Sequence, residues 1–380
     1  METFLFWLAV VTVVIMLAMT IEFVVGNRSL RWLKNLPPFS GDAPPKVSVV
    51  VAARDEARKI EEALQSLLRQ TYPNIELIVV NDRSTDDTGA ILDRLAAIKV
   101  VHIRELPRGW LGKCNAHHTG AQQATGELLL FTDADIVMEP TTISRAVQHL
   151  LSEGLDHLAA APHLNMRGLL LNMFSGAFTI FFGLYAKPWK AREPKSKRFI
   201  GIGAFNLVRA EAYRAVGGHE RIRMRPDDDM KLGKLIKDAG YRQDMVLGES
   251  LVLVEWYASV RELIRGLEKN SFAGVGYSIA VVAGSCVAQL VAFIWPVIAL
   301  AVTCGATWWL NLGVVATIAA LYIDNAPFHG LKRWHFVGFP VTVLLFLYII
   351  CRATILTLRN GGIDWRGTHY SLAELKANKV

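Results

Sequence analysis

The sequence predicts an α/β domain with a mostly parallel sheet, preceded by one membrane-spanning helix and followed by about three. Three observations carry that reading. Between residues 46 and 133, short β-branched or leucine-rich runs alternate with stretches of helical periodicity, the pattern of a parallel sheet with helices on both faces. Three of these runs end on or beside an aspartate: Asp55, Asp82 and Asp133. Ligands of such sheets sit at the carboxyl ends of the strands, so acids gathered there are hard to explain as solubility residues. Residues 4–25, 279–304, 307–323 and 336–358 are apolar runs of spanning length.

Composition agrees. The chain has 380 residues, room for two ordinary domains, and 52% of them are hydrophobic, as in a membrane protein carrying a soluble portion. The net charge of +7 is not gathered into a stripe with interleaved aromatics, so no nucleic-acid partner is expected. Four cysteines contain no C-x-x-C pair, and neither a zinc site nor a disulfide framework is suggested.

Taken in order, residues 1–26 form the first span. No basic residues precede it and no small-residue cleavage site follows, unlike a signal peptide. Arg28, Arg31 and Lys34 come next, and the positive-inside rule then puts the following domain in the cytoplasm of an integral membrane protein. Pro37-Pro38 and Pro44-Pro45 bracket a stiff linker to a domain expected over 46–255. Residues 46–52 read as a buried strand, Ala53-Arg54-Asp55-Glu56 as its turn and 60–70 as a helix. A second strand covers 75–80, and Ser84, Thr85 and Asp86 can cap the helix carrying Ile91, Leu92 and Leu95. Residues 99–103 form a third strand and 111–124 a third helix. The run Leu128-Leu129-Leu130-Phe131-Thr132-Asp133 is a strand buried on both faces. Side chains two apart on a strand point the same way, so Asp133 and Asp135 can converge on one hard cation, magnesium or manganese.

The segments VVAARDEA, IELIVVNDRSTDDT, GWLGKCNAHHTGAQQATGE, LLLFTDAD, GIGAFNLVRAEAYRAVGG and DDDMKLGKLIKDAG, in this order and spacing, resemble family 2 glycosyltransferases with the GT-A nucleotide-sugar-binding fold. The layout of spans is similar to members that glycosylate ceramide, hopanoids or carotenoids. The resemblance implies inverting transfer of a sugar from a UDP-sugar to a hydroxyl of a membrane lipid, assisted by a divalent cation. On it, Asp82 accepts a hydrogen bond from uracil, although a turn or cap aspartate is the plain alternative. Lys113 and the helix N-terminus beside it suit a diphosphate. Asp133 and Asp135 hold ribose and metal, while Ala53, Asp55, Glu56 and Gly203 line the substrate side. The family's acidic pair, followed by two residues and a leucine, falls on Asp228 and Asp229. Asp229 is the expected base and Asp228 the alternative; Asp227 is expected to cap the helix. Trp256 is also a substrate-binding candidate, although Glu255-Trp256-Tyr257 stands where relatives often carry Q-x-x-R-W.

Residues 166–186 have nearly the composition of a span, but a crossing there would separate Asp133 from Asp229, so an interfacial or partly buried helix is expected. Residues 256–278 read as an amphipathic interfacial helix, with Arg261, Arg265 and Lys269 on one face. Residues 279–358 supply the C-terminal spans and 359–380 a tail whose Trp365-Arg366-Gly367 and Tyr370 resemble lipid-glycosylating relatives. One span before the domain and three after would place this tail outside, whereas Arg359, Arg366, Lys376 and Lys379 favour the inside. Either one run is re-entrant or the charge rule fails. Two other functions fit the same chemistry less well: a polysaccharide synthase of this fold, or a non-catalytic membrane adaptor that kept it.

Overall fold

A computed structural model describes residues 1–380. The chain divides into two compact units, one of residues 30–165, 188–256 and 373–380, the other of residues 1–29, 166–187 and 257–372.

The first unit carries the strands of the two larger sheets. Its strands are β1 (Arg31–Trp32), β2 (Val47–Ala53), β3 (Ile75–Asp82), β4 (Lys99–Ile103), β5 (Leu128–Asp133), β6 (Ile136–Met138), β7 (His157–Ala161), β8 (His163–Asn165), β9 (Asn206–Arg209), β10 (Gln243–Leu247) and β11 (Val252–Glu255). Eight form one sheet in the order β1-β10-β7-β9-β5-β2-β3-β4, and β6-β11-β8 form a small second sheet. Along β2 and β5 the side chains alternate between two cores: Val47, Val49, Val51, Leu128 and Leu130 enter one, Val50, Leu129 and Phe131 the other. Continuous apolar runs are needed because both faces are covered. Helices α2 (Ile60–Leu68), α3 (Thr88–Asp93) and α5 (Thr142–Ser152) supply the first core. The second takes side chains from α7 (Ala210–Ala215) and α9 (Asp228–Asp238), while α4 (Gly112–Gln123) packs on β2 and β3.

The sheet is parallel except for β9, which runs antiparallel to β5 and β7. The reason is local. Gly203 O accepts from Asp133 N at 3.1 Å, so the chain re-enters the sheet at the carboxyl end of β5 and can only run back down it. β9 leads into α7, and the four-residue α8 (Gly218–Arg221) follows. A further departure is that Arg31 and Trp32, outside every expected element, pair with Val246 and Leu247 at the sheet edge.

The second unit is helical: α1 (Glu2–Arg28), α6 (Leu169–Ala186), α10 (Val260–Gly274), α11 (Ile279–Gln289), α12 (Trp295–Val302), α13 (Gly305–Asn325) and α14 (Phe339–Arg359). α11 and α12 are one helix interrupted by a π turn at Leu290–Ile294. Pro296 lacks the N–H that an unbroken helix would use there, which explains the wide turn before it. Five segments are long and apolar enough to cross a membrane: α1, residues 169–190, 279–302, 305–329 and 333–359. Residues 166–187, inside the domain expected over 46–255, group with these helices instead. Phe181 of α6 packs against Phe293, Phe339 and Phe346, Thr179 accepts a hydrogen bond from Asn325, and Lys187 pairs with Glu22 at 2.6 Å. α10 begins with a capping box in which Ser259 accepts from Glu262 N and Glu262 from Ala258 N. It packs along α14, where Glu268 pairs with Arg352.

The tail is ordered in two parts. A hairpin of β12 (Gly362–Trp365) and β13 (Thr368–Ser371) belongs to the helical unit, with Lys269 Nζ 4.0 Å above the Trp365 ring. The final helix α15 (Leu372–Ala377) leads back into the first unit. There Asn378 donates to Arg221 O at 3.0 Å and accepts from Met224 N at 3.1 Å.

Candidate active site

The loops after β2 and β3 are tied to each other. Asp55, in the left-handed region at φ 53°, accepts from Thr85 N at 2.7 Å, and its own amide donates to Ser84 Oγ at 3.0 Å. The Glu56 amide donates to Thr88 Oγ1 at 2.8 Å. Ser84 and Thr85 are thus committed to Asp55 and do not cap α3; Asp86 instead accepts from Thr88 N at 3.0 Å. Asp82, 2% exposed, accepts from Arg83 Nε at 2.7 Å and Nη2 at 2.9 Å, with Arg54 Nη1 3.7 Å away. The start of α4 lies directly on this carboxylate. A Cβ on Gly112 would fall 2.3 Å from Asp82 Oδ2, so only glycine fits.

Lys113, one residue into α4, reaches Asp133 Oδ1 at 2.6 Å and Asp228 Oδ1 at 3.8 Å. Burial by itself would lower the lysine, but Asp133, Asp228 and Asp229 outweigh it and hold it well above its usual range. Burial would likewise raise Asp133, and Lys113 outweighs it, keeping this carboxyl below its usual range. Asp229 stands on the far side of Gly203. The Gly203 amide donates to Asp229 Oδ2 at 2.7 Å, and Met230 N donates to Oδ1 at 2.7 Å. A Cβ on Gly203 would lie 2.9 Å from Asp133 Oδ2, 3.2 Å from Lys113 Nζ and 3.4 Å from Asp229 Oδ2. This glycine is therefore the point where the three charged groups meet.

The two neighbouring acids at the start of α9 are driven apart. Burial and the negative charge of Asp228 push Asp229 up to about 7. Asp228 is the more deeply buried of the two, but Lys113 and His117 overcome the burial and hold it well below the usual carboxylate range. A carboxylate poised near neutrality is what a general base needs, and of the pair only Asp229 has it.

Asp135 is held separately. Lys59 Nζ lies 3.4 Å from Asp135 Oδ2 and donates to Glu255 O at 2.7 Å. Burial and the charge of Asp133 raise Asp135 despite Lys59. Asp133, Asp135, Asp228 and Asp229 thus face two lysines, and the raised pair signals negative charge left uncompensated. An oxygen-rich cluster of that kind fits a hard divalent cation.

Asp227 does not act as the expected cap. It occupies the cap position of α9 without a side-chain cap bond. Its carboxylate is taken by Arg225, which donates from Nε at 2.8 Å and Nη2 at 2.9 Å. Ala53 is the buried last residue of β2, and Trp256 packs partly buried against the larger core. The residues that sequence reasoning missed are His117 of α4 and His219 of α8, both buried beside Asp228. A buried histidine inside a helix leaves no periodic signal.

Residues 48–217 match the family described as glycosyl transferase family 2. The chain is 21% identical over 376 residues to the 4,4'-diaponeurosporenoate glycosyltransferase of Staphylococcus aureus strain MRSA252, covering 97% of this chain and 99% of that one. It is also 21% identical to the same enzyme of strain USA300 over 378 residues, with 97% and 99% covered. In three dimensions it is similar to the mannosyltransferase PcManGT from Pyrobaculum calidifontis, solved with GDP-Man and Mn2+, at a TM-score of 0.58 and 19% identity over 93% of this chain and 98% of that one. The strand-end acids therefore sit on a GT-A-like fold, and residues 48–217 of the chain resemble glycosyl transferase family 2.

Proposed function

We propose that this glycosyltransferase moves a sugar from a UDP-sugar to a hydroxyl of a membrane lipid, with inversion at the sugar carbon. The observation that carries the reading is the poised Asp229, anchored by the Gly203 amide one residue's width from Asp133 and Lys113. In this reading Asp229 takes the proton from the acceptor hydroxyl as the hydroxyl oxygen attacks, and the diphosphate leaves from the opposite face. Lys113 and the N-terminal amides of α4 stabilise the charge that develops on the diphosphate. Asp82 holds the base, and the loop tied by Asp55 and Glu56 keeps its rim in place. Asp133 and Asp135 would hold a magnesium or manganese ion, which when bound neutralises diphosphate oxygens. Mn2+ in the PcManGT structure supports a cation here, and the polyene acid in the relatives' name supports an apolar acceptor.

The membrane-capable helices support an integral membrane protein, and Arg28, Arg31 and Lys34 support a cytoplasmic catalytic unit. GDP-mannose is the competing donor, on the strength of the PcManGT ligand alone. Membranes holding the chain, supplied with radiolabelled UDP-glucose, UDP-galactose, UDP-N-acetylglucosamine or GDP-mannose, test all of this. Labelled lipid, identified by mass spectrometry, is expected from one UDP-sugar. Label only in a water-soluble polymer makes the chain a polysaccharide synthase, and no turnover with any donor makes it an adaptor.

A further inference from the structure

His117, His219 and Asp228 come from α4, α8 and α9, and each offers one ligand atom within 4.8 Å of the other two. All three are interior, 2%, 1% and 3% exposed. Asp228 Oδ2 is the shared focus, 3.3 Å from His117 Nδ1 and 3.8 Å from His219 Nε2. Ligands on a tetrahedral zinc ion, with bonds of about 2.0–2.2 Å, stand roughly 3.4 Å apart, so small side-chain shifts suffice. His117 Nδ1 faces the Asp228 carboxylate, and its Nε2 has no hydrogen-bond partner. A buried imidazole left so is unfavourable unless something else binds it. His219 is already oriented: the Tyr213 hydroxyl lies 2.9 Å from Nδ1 and fixes the ring with Nε2 toward Asp228. Such an outer partner is the usual companion of a metal-bound histidine. Phe131 flanks both imidazoles, with ring centres 5.3 and 4.7 Å away, and closes the apolar side. Cys114 is not a fourth ligand, because its thiol points to Ile222 O and Arg225 O.

We propose that His117, His219 and Asp228 form a buried site for a divalent transition metal, zinc by its ligand chemistry, distinct from the cation held by Asp133 and Asp135. Two imidazoles and one carboxylate suit zinc, whereas the all-oxygen pair suits magnesium or manganese. The ion would pin three segments far apart in sequence. It would also fix the start of α9, where Asp228 Oδ1 faces Lys113 Nζ at 3.8 Å. The proposal does not rest on the donor or acceptor named above.

The test is elemental analysis of the full-length, tag-free chain purified in detergent without chelators. Roughly one zinc per chain is expected, since buried His and carboxylate ligands retain zinc through purification. His117→Leu and His219→Leu should each reduce zinc at least tenfold, while Asp135→Asn leaves it unchanged. Should the leucine variants not fold, the wild-type chain decides: cobalt(II) exchanged into it gives the visible absorption of a low-symmetry nitrogen–oxygen site, and 1,10-phenanthroline lowers its melting temperature. No transition metal together with no cobalt absorption overturns the proposal, leaving a metal-free pair of histidines around Asp228. Zinc equal to wild type in both folded leucine variants overturns it too. Sugar transfer enters none of these measurements, so they stand apart from the fate of the proposed reaction.

Discussion

The main-chain N–H of Gly203 donates to Asp229 Oδ2 at 2.7 Å, while the Cβ that glycine lacks would lie 2.9 Å from Asp133 Oδ2. One small residue thus anchors the proposed base and leaves room for the group that meets the donor. Asp229 and Asp133 are thus joined through the backbone of a single residue, whose N–H meets one and whose C=O meets the amide of the other.

Asp229→Asn keeps the shape of the side chain and removes its basicity. Transfer should fall by about 10²–10⁴-fold, the range for a lost general base. UDP binding, followed by calorimetry, should stay near wild type because the base touches the acceptor. If Asp228→Asn is instead the variant that binds and does not turn over, the roles of the two acids are exchanged.

Gly203→Ala inserts a methyl where Asp133, Lys113 and Asp229 converge. Crowding of this kind costs about 1–3 kcal/mol where the surroundings cannot relax. A drop in turnover larger than the drop in melting temperature explains is expected. Wild-type turnover in a folded Gly203→Ala chain would show that the three groups need not be so close.

The rate should rise with pH through about 7, because Asp229 works as the free carboxylate and is pushed up to about 7 by burial and Asp228. Asp228→Asn removes the negative neighbour, so the rise should move to lower pH. Stability carries the opposite slope. Asp229 holds its proton in the folded chain above its ordinary value of 3.8, so this group's contribution fades as pH climbs from roughly 4 to 7. Profiles of kcat/KM and of melting temperature against pH, recorded side by side, check both signs.

Asp135→Asn removes one charge from the cluster that Lys59 only partly neutralises. On the scale of lost transition-state electrostatics, the rate should fall by about 10²-fold or more with the fold intact. EDTA should act on the wild type in the same direction. Full activity in both experiments would take the cation out of the reaction.

Asp227→Ala leaves Arg225, 6% exposed, without its paired carboxylate. Two charge-assisted bonds are lost, and about 1.5–3 kcal/mol of stability should go with them. Chemical denaturation measures this directly. Turnover at a temperature where the variant is folded should remain close to wild type.

The sheet and its acidic rim were legible because the signals are local. β-branched runs, helical spacing and a carboxylate at a strand end are visible within ten residues of one another. Lys113 and the pair Asp228–Asp229 were legible through resemblance, which supplied the spacing that local pattern lacks. What stayed hidden depends on pairing across long separations. Arg31–Trp32 is too short to read as a strand, and β9 turns antiparallel only because Gly203 meets Asp133. The histidines around Asp228 come from residues 117 and 219, and nothing nearby in sequence marks them as a pair. Asp227 misled because a cap position predicts a cap bond, and Arg225 two residues earlier competes for the same oxygens.

Asn378 bonds to Arg221 and Met224, so residues 373–380 belong to the same compact unit as residues 30–165. Placed on one side of a bilayer, a unit of residues 30–165, 188–256 and 373–380 would impose a parity. Each excursion of the chain between them must complete an even number of passages through a bilayer. Residues 166–187 hold a single helix, which by this count would not cross, although residues 169–190 are long and apolar enough to do so. Between residues 256 and 373 lie three stretches of spanning length, so an even count would require one of them to enter and leave by the same face. On that count Arg366, Lys376 and Lys379 would lie on the same side as Arg28, Arg31 and Lys34, as the charge rule asks.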